Sequence, residues 1–542
     1  MNAASDYLTA VVHRARVPMD PAGFQPRWSD KPRPHKFFPG VERFPLSGRA
    51  APSLACLQDG LFPTRALSGP GAPGSFTMPL LGDMLLDTYG EVTRRLAINA
   101  NPDVPALPNY RDALWARGTA SGGGLYPVSV YWVNGPSAPA LPGVHYYSPR
   151  HHAMQRLLTG DVSGVVRDAI GDSELAGDTD QFLVLTVKFW QNSFKYGSFS
   201  YHVVTMDVGA VIEAWRLWAL AQGMSLQPVL WFDEPRLNRL LDVGATQEGI
   251  FAVVPLAWDA APDPGSAPAS ATSGAHDGVR AARTDRERSR HVVAFPILRA
   301  LHEATTQDAG HRPPVHAVAA GAVRTTAGSD TGIALPPPES LAMPVTDALR
   351  ARRSSFGRFV SRPALDPRLL GTVLAASTAS AAFPCDVTDP EKPTPLVKLY
   401  VFVNHVDGVP PGSYEFDPGS HALLRIDPNP PGEFLERTYF LDNYSMDQAA
   451  AVIVPTARPT AVHEALGARG YRLVNASVGA VAQAAYVTCA ALGIGCGAAL
   501  GFDNVAYIDE LKLSGTDEIP LLIIMIGNEN QAVANFRYDI VH

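Results

Sequence analysis

Residues 208–233 read VGAVIEAWRLWALAQGMSLQPVLWFD, and residues 478–503 read VGAVAQAAYVTCAALGIGCGAALGFD. The two stretches align without a gap at an offset of 270, with the same residue at ten positions, among them the opening VGAV and the closing Phe-Asp. Tyr201 and Tyr471 fall at that offset too, and GVHYYSPRHHAMQRL from Gly143 resembles GSYEFDPGSHALLRI from Gly412 at an offset of 269. Two matches far apart in the chain at nearly one offset indicate an internal duplication. Each copy then reads in the same order. A strand with aromatic alternation (Val128–Val133; Val397–Val403) precedes a second short strand (Phe182–Val187; Ala451–Val454). A long, almost wholly apolar helix follows (Met206–Gln222; Val474–Leu492), stopped by glycine. A β-branched or leucine-rich run closes the copy as a buried strand (Gly249–Val254; Pro520–Ile526). A helix apolar on every side must be buried on every side. Two such helices predict that the copies pack on each other as an intramolecular version of a symmetric dimer.

Composition agrees with this plan. At roughly 100–200 residues per domain, 542 residues are too many for one core. A hydrophobic content of 46% with 18% charge excludes a disordered chain. The net charge of −8, with no Arg/Lys-rich block, excludes nucleic acid as a main partner. Cys56, Cys385, Cys489 and Cys496 are too few for a disulfide scaffold, and with no Cys-x-x-Cys pair and no spaced histidines nearby neither a structural zinc site nor a dithiol redox motif is expected. The amino terminus has no apolar signal core and no uninterrupted apolar run reaches membrane-spanning length, so the expectation is a soluble, cytoplasmic protein without membrane contact. The expected division is an arm over residues 1–50 without clear periodicity, a first domain over 51–258, a linker over 259–340 with one amphipathic helix (His291–Thr305), and a second domain over 341–542.

Four short segments carry chemistry-bearing residues. Arg350–Arg358 (RARRSSFGR) follows a helical segment, where guanidinium forks and hydroxyls suit a phosphate or simply make a solvated basic face. Gly493–Gly501 (GIGCGAALG) permits close backbone approach to a flat ligand, or merely close helix–strand packing. Arg117–Pro127 (RGTASGGGLYP) offers unobstructed amide donors after a serine, or a plain flexible loop. Lys195-Tyr196-Gly197, read as a loop after the strand FLVLTVKFW, is either surface decoration or a proton-transfer pair, since burial lowers a lysine's pKa towards neutrality.

Together, RRSSFGRF, YEFDPGSHALL, the long segment from Gly470 to Asp503 and the strand ending IMIGN resemble the FMN-dependent nitroreductase superfamily. RGTASGGGLYPVSVYWV, VHYYSPRHHAMQRLL and FKYGSFSYHV resemble its SagB-type branch, the azoline dehydrogenases of ribosomal peptide natural products. The resemblance covers about Pro63–Leu256 and Met343–Asp539. It implies an α+β fold of two tandem nitroreductase-like domains, each an antiparallel-rich sheet flanked by long helices, packed as a pseudo-dimer.

Members of that superfamily are usually homodimers with two FMN sites, one subunit gripping the phosphate and flavin edge while its partner covers the flavin. The resemblance divides these tasks between the copies. In the second copy, Arg352, Arg353, Ser354 and Arg358 lie in the phosphate region, Leu500 and Gly501 fall at the flavin edge, and Arg537 is the late basic residue. The first copy has PTRALSG (Pro63–Gly69) and Trp231 at the corresponding places, and an indole there would collide with an isoalloxazine. Conversely, the first copy keeps Ser121, Gly122 and Gly123 of the covering loop and the Lys195-Tyr196 pair, where the second has STASAAFPC and Ala465-Leu466. Each copy retains what the other has lost. The resemblance therefore implies one FMN per chain, with Lys195 and Tyr196 as the acid/base pair and no metal. The implied reaction is dehydrogenation of a thiazoline or oxazoline on a peptide or carrier-bound precursor to the azole, with dioxygen as terminal acceptor. A cyclodehydratase partner is expected to present the substrate, and the pseudo-dimeric monomer can assemble further. An NAD(P)H-dependent nitro- or quinone reductase, which needs no Lys-Tyr pair, and a non-catalytic scaffold in a biosynthetic complex are the competing readings.

Overall fold

The computed structural model describes residues 3–48, 53–63, 74–96, 113–244, 246–259, 279–281, 283–324, 332–356, 358–530 and 536–540. The first copy forms a six-stranded antiparallel sheet in the order Arg43–Pro45, Ala153–Thr159, Gly143–Ser148, Val128–Asn134, Gln181–Lys188, Glu248–Pro255. The second copy repeats the last five of these as Ala422–Asp427, Gly412–Asp417, Lys398–Val403, Ala451–Ala457 and Ile523–Glu529. Even the irregularities recur. Gly143 and Gly412 open the outer hairpins at a φ of 156°, each followed by a register shift, and a Cβ on either would meet the facing carbonyl of Leu158 or Asp427 at 2.0 or 2.5 Å. Only glycine closes that hairpin in both copies.

The two long helices, Ser200–Ala221 and Gly470–Leu492, start a turn before the apolar pattern. Their first turns carry His202 and Arg472, polar residues that are nonetheless buried because His202 Nδ1 shares a 2.8 Å hydrogen bond with Tyr471 Oη and Arg472 pairs with Glu234 at 3.0 Å. The helices cross at the VGAV motifs. A Cβ on Gly209 would lie 2.0 Å from the Ala476 carbonyl oxygen, and one on Gly479 would lie 2.0 Å from that of Met206. Because Met206 and Ala476 are themselves equivalent by the offset of 270, the contact is self-complementary, as in an isologous dimer interface. One continuous core runs through both copies around these helices, with a satellite cluster on the outer face of each sheet. Gly470–Leu492 has the length and hydropathy of a membrane span, but 94% of its most apolar window is buried inside the protein, which makes it a core helix.

Three expectations about the connecting segments are corrected. The first 50 residues are not a bare surface arm: Ala3–His13 is a helix whose Tyr7, Leu8 and Val11 are buried, and Arg43–Pro45 is an edge strand of the first sheet. The linker helix runs over Pro296–Gln307 rather than from His291, because Pro296 suits a first helical turn. Gly332–Ala334, also assigned to the linker, is an edge strand of the second sheet. The carboxyl terminus crosses over, since Phe536–Asp539 pairs with Thr93–Leu96 of the first copy, itself paired with Ala113–Ala116. Most of the Ala/Pro/Gly-rich stretch from 259 to 290, and residues 64–69 of PTRALSG, lie outside the described residues.

Candidate functional site

A cavity of about 1140 Å³ lies between the copies. Its walls draw on Ser121–Tyr126 and Lys195–Phe199 of the first copy, Arg352–Ser354 and Ala498–Gly501 of the second, and Pro18–His35 of the amino-terminal segment. Pockets for small ligands are typically about 300–1,000 Å³, so this one lies just above that range.

From the second copy, Arg352 ends the helix Val345–Ala351. Its Nε and Nη2 each donate to a first-copy carbonyl, of Gly118 and Arg117, at 3.0 Å, so this guanidinium fastens the copies together at the cavity wall. Arg353 is paired with Glu529 and stays partly exposed. Ser354 Oγ shares a 3.0 Å hydrogen bond with Tyr486 Oη, which also accepts from the Ala498 N–H at 2.8 Å; burial pushes the Tyr486 phenol up to about 12. The glycine-rich turn is in fact a strand, Gly495–Ala499, laid against Ile523–Glu529. Beyond it, the Leu500 and Gly501 N–H groups have no hydrogen-bond partner among the described residues, while their carbonyls are held by Arg14 and by the Phe440 N–H.

From the first copy, Lys195 and Tyr196 sit not in a loop but on the last turn of the helix Trp190–Tyr196, which Gly197 ends at a φ of 54°. The Lys195 ammonium is 4.8 Å from the Tyr196 ring centroid. Burial pulls the Lys195 pKa below its ordinary value and pushes that of Tyr196 up, each change favouring the neutral form. The Ser121 loop is pressed against this pair: a Cβ on Gly123 would stand 2.5 Å from Tyr196 Oη and 2.7 Å from Lys195 Nζ. The loop is fastened from behind by Asp207, which accepts from Ser121 Oγ at 2.7 Å and from the Gly122 N–H at 2.8 Å. Gln483 of the second long helix reaches across to the same loop, accepting from the Ala120 N–H at 2.9 Å and donating to the Gly118 carbonyl at 3.1 Å.

The cavity thus gathers Lys195, Tyr196, Ser121, Gly122, Gly123, Arg352, Arg353, Ser354, Leu500 and Gly501. Arg358 is not among its lining residues, and the Arg537 side chain lies outside the described residues, although its backbone pairs with Arg95. Sequence reasoning missed Asp207, Arg14 and Gln483. Asp207 was the most visible of these, a carboxylate in a helix apolar on every side where the second copy has Ser477.

The mirror position is filled. The N–H groups of Leu230 and Trp231, equivalent to those of Leu500 and Gly501, donate at 2.8 and 3.0 Å to the buried Asp386 carboxylate, which pairs with Arg312 at 2.9 Å. The Trp231 indole is buried in the core. A protein carboxylate from the second copy therefore occupies the donors that remain open across the pseudo-dimer.

Residues 349–528 match the model of the nitroreductase family. A nitroreductase-like protein of Methanocaldococcus jannaschii is 30% identical over 133 residues, 24% of this chain and 65% of its own length, so the match spans just under two thirds of that relative. A nitroreductase-like crystal structure from Anabaena variabilis superposes over 98% of this chain and 100% of its own at a TM-score of 0.69 and 19% identity, which shows the two-copy, nitroreductase-like α+β fold. A chain of the Escherichia coli microcin synthetase McbBCD complex aligns over 33% of this chain and 70% of its own, at a TM-score of 0.28 and 17% identity, too low to argue from.

Proposed function

We propose that this chain, whose carboxyl-terminal half carries a nitroreductase-family domain, is a cytoplasmic FMN-dependent dehydrogenase with one composite site, oxidising a peptide-borne or carrier-bound azoline to the azole. The observation that carries the single-site reading is the contrast between the two edges: Leu500 and Gly501 line the cavity and their amides have no hydrogen-bond partner among the described residues, while Asp386 already occupies those of Leu230 and Trp231. Open amides, nearby cations and an apolar wall fit a flat aromatic group bearing an anion.

FMN, when bound, would supply the two-electron oxidising chemistry that conversion of an azoline to an azole requires, with dioxygen as the terminal acceptor. The chain's own residues handle orientation and the proton. Arg353 and Ser354 would hold the phosphate, and Leu500 and Gly501 the flavin edge. Lys195, made less basic by burial, is the group that removes the Cα proton; Tyr196, kept as the phenol, would serve as a hydrogen-bond donor beside it. A positioned base of this kind contributes roughly 10²–10⁴-fold. A cyclodehydratase would supply the substrate.

The test is direct. Purified protein should be yellow with one FMN per chain, and Lys195→Ala should stay yellow while losing conversion of a synthetic thiazoline peptide, read as loss of two hydrogens by mass spectrometry. Two FMN per chain would sink the composite site. Unchanged conversion by Lys195→Ala would remove that residue from the chemistry, and rapid bleaching by NADPH with no azoline oxidation would favour a nitro- or quinone reductase.

A further inference from the structure

Asp207 is buried, and among the described residues its hydrogen-bond partners include no cation: it accepts only from Ser121 Oγ and the Gly122 N–H. A buried carboxylate without a counter-ion is costly as an anion and marks a group that exchanges protons. Desolvation raises its pKa to about 7, against the lowering effect of its two hydrogen bonds. The titratable groups that feel its charge are Tyr196 of the helix Trp190–Tyr196 and Tyr89 of the helix Met78–Tyr89, both held neutral by burial. Arg117 stands beyond Tyr89, 4.4 Å from its ring, and Lys195 lies across the Gly122–Gly123 turn. From the second long helix, the neutral Gln483 holds the loop's start.

Asp207 is itself part of the cavity wall, but its two carboxylate oxygens are taken by the Ser121 hydroxyl and the Gly122 N–H, so Ser121 is the hydroxyl through which it can exchange a proton. The Ser121 hydroxyl donates to Asp207 Oδ2, accepts from the Tyr126 N–H at 2.9 Å, and lines the cavity. We propose that Ser121 and Asp207 form a proton relay from the cavity to a buried store. A donor in the cavity gives its proton to Ser121 Oγ, while the original Ser121 O–H bond breaks and an O–H bond forms at Asp207 Oδ2. One proton leaves the cavity, no electrons change hands, and the reverse transfer empties the store. The role of this relay in clearing the proton taken from the azoline rests on the proposed function; the relay itself does not.

The experiment is infrared spectroscopy of the FMN-loaded full chain, wild type beside Asp207→Asn and Ser121→Ala. An asparagine can accept from the Gly122 N–H and donate to Ser121 Oγ, so it imitates the protonated acid and should fold and bind FMN as the wild type does. The wild type should show a buried carboxylic C=O band that disappears as pH rises through neutrality. That band should be missing in Asp207→Asn and present in Ser121→Ala. On transfer to D₂O, its isotope shift should develop at least tenfold more slowly in Ser121→Ala, because the hydroxyl that passes the proton is gone. A band that persists in Asp207→Asn, or an isotope shift that is equally fast without Ser121, overturns the relay. Neither readout needs the azoline, so an inactive Lys195→Ala, or a wild type that ignores azolines, bears on the proposed function alone.

Discussion

Gly123 and Gly124 make a matched pair for testing whether the loop's contact with Lys195 and Tyr196 matters. Both have a φ of 65°, so alanine at either position costs about 1–2 kcal/mol of left-handed strain. They differ in what the new methyl group would meet: Gly124 has nothing within 4 Å, whereas at Gly123 it would stand 2.5 Å from Tyr196 Oη and 2.7 Å from Lys195 Nζ. Restoring ordinary contact near 3.4 Å requires a relative shift of about 0.9 Å, and a misplacement of about 1 Å can cost about 10²-fold in rate. That corresponds to about 2.7 kcal/mol of activation free energy at 1.36 kcal/mol per tenfold. Gly123→Ala should therefore lower conversion of a thiazoline peptide by about two orders of magnitude, with FMN still bound. Gly124→Ala should lose a similar few degrees of Tm but keep its rate within about threefold, since 1 kcal/mol shifts Tm by roughly 2–4 °C in domains of this size. Equal rates for the two variants would refute a contact-dependent Lys-Tyr geometry.

Three more outcomes are expected. Arg353→Ala should weaken FMN retention by about tenfold or more in a fluorescence titration, as one charge-assisted phosphate contact is lost, while Arg358→Ala, away from the cavity, should not. Asp386→Ala should cost about 3 kcal/mol or more in denaturant unfolding, because it strands the Leu230 and Trp231 amides and leaves Arg312 with Asp172 as its remaining carboxylate, while the count of FMN stays at one; a second FMN would contradict a closed mirror site. Stability should fall from pH 7 to pH 5. His145 and His463 are held down to about 4 and His202 to about 3, chiefly by burial, so the unfolded chain takes up their protons first as pH drops below about 6.5, at roughly 2 kcal/mol each by pH 5. Asp207, raised to about 7, is the opposing case: the folded state takes up its proton first as pH falls and gains about 2 kcal/mol over the same interval, so Asp207→Asn should steepen the fall in Tm. A Tm that is flat or rises towards pH 5 would contradict this balance.

The duplication, the order of strands and helix in each copy, and the assignment of Lys195 and Leu500 to opposite copies were all legible in the chain. They depend on periodicity, glycine placement and a repeated spacing, which are local properties. Sequence reading placed Lys195 and Tyr196 on a loop, although Ala465-Leu466 ends the helix Pro459–Leu466 at the equivalent position. Seven residues of mixed polarity give too short a pattern to register as a helix.

What required tertiary structure was every relation between distant charges. Arg352 looks like a phosphate ligand in RRSS, yet its fork is partly engaged by the Arg117 and Gly118 carbonyls. Asp386 follows an unremarkable Pro-Cys, and only the fold carries it to the Leu230 and Trp231 amides. Arg14, in a segment that showed no period, holds the Leu500 carbonyl almost 500 residues away. Hydrophobic patterning fixes which face of an element is buried, because burial acts along the element itself. The partner of a buried charge is chosen by desolvation and a few ångströms of geometry, and those exist only once the two copies have closed on each other.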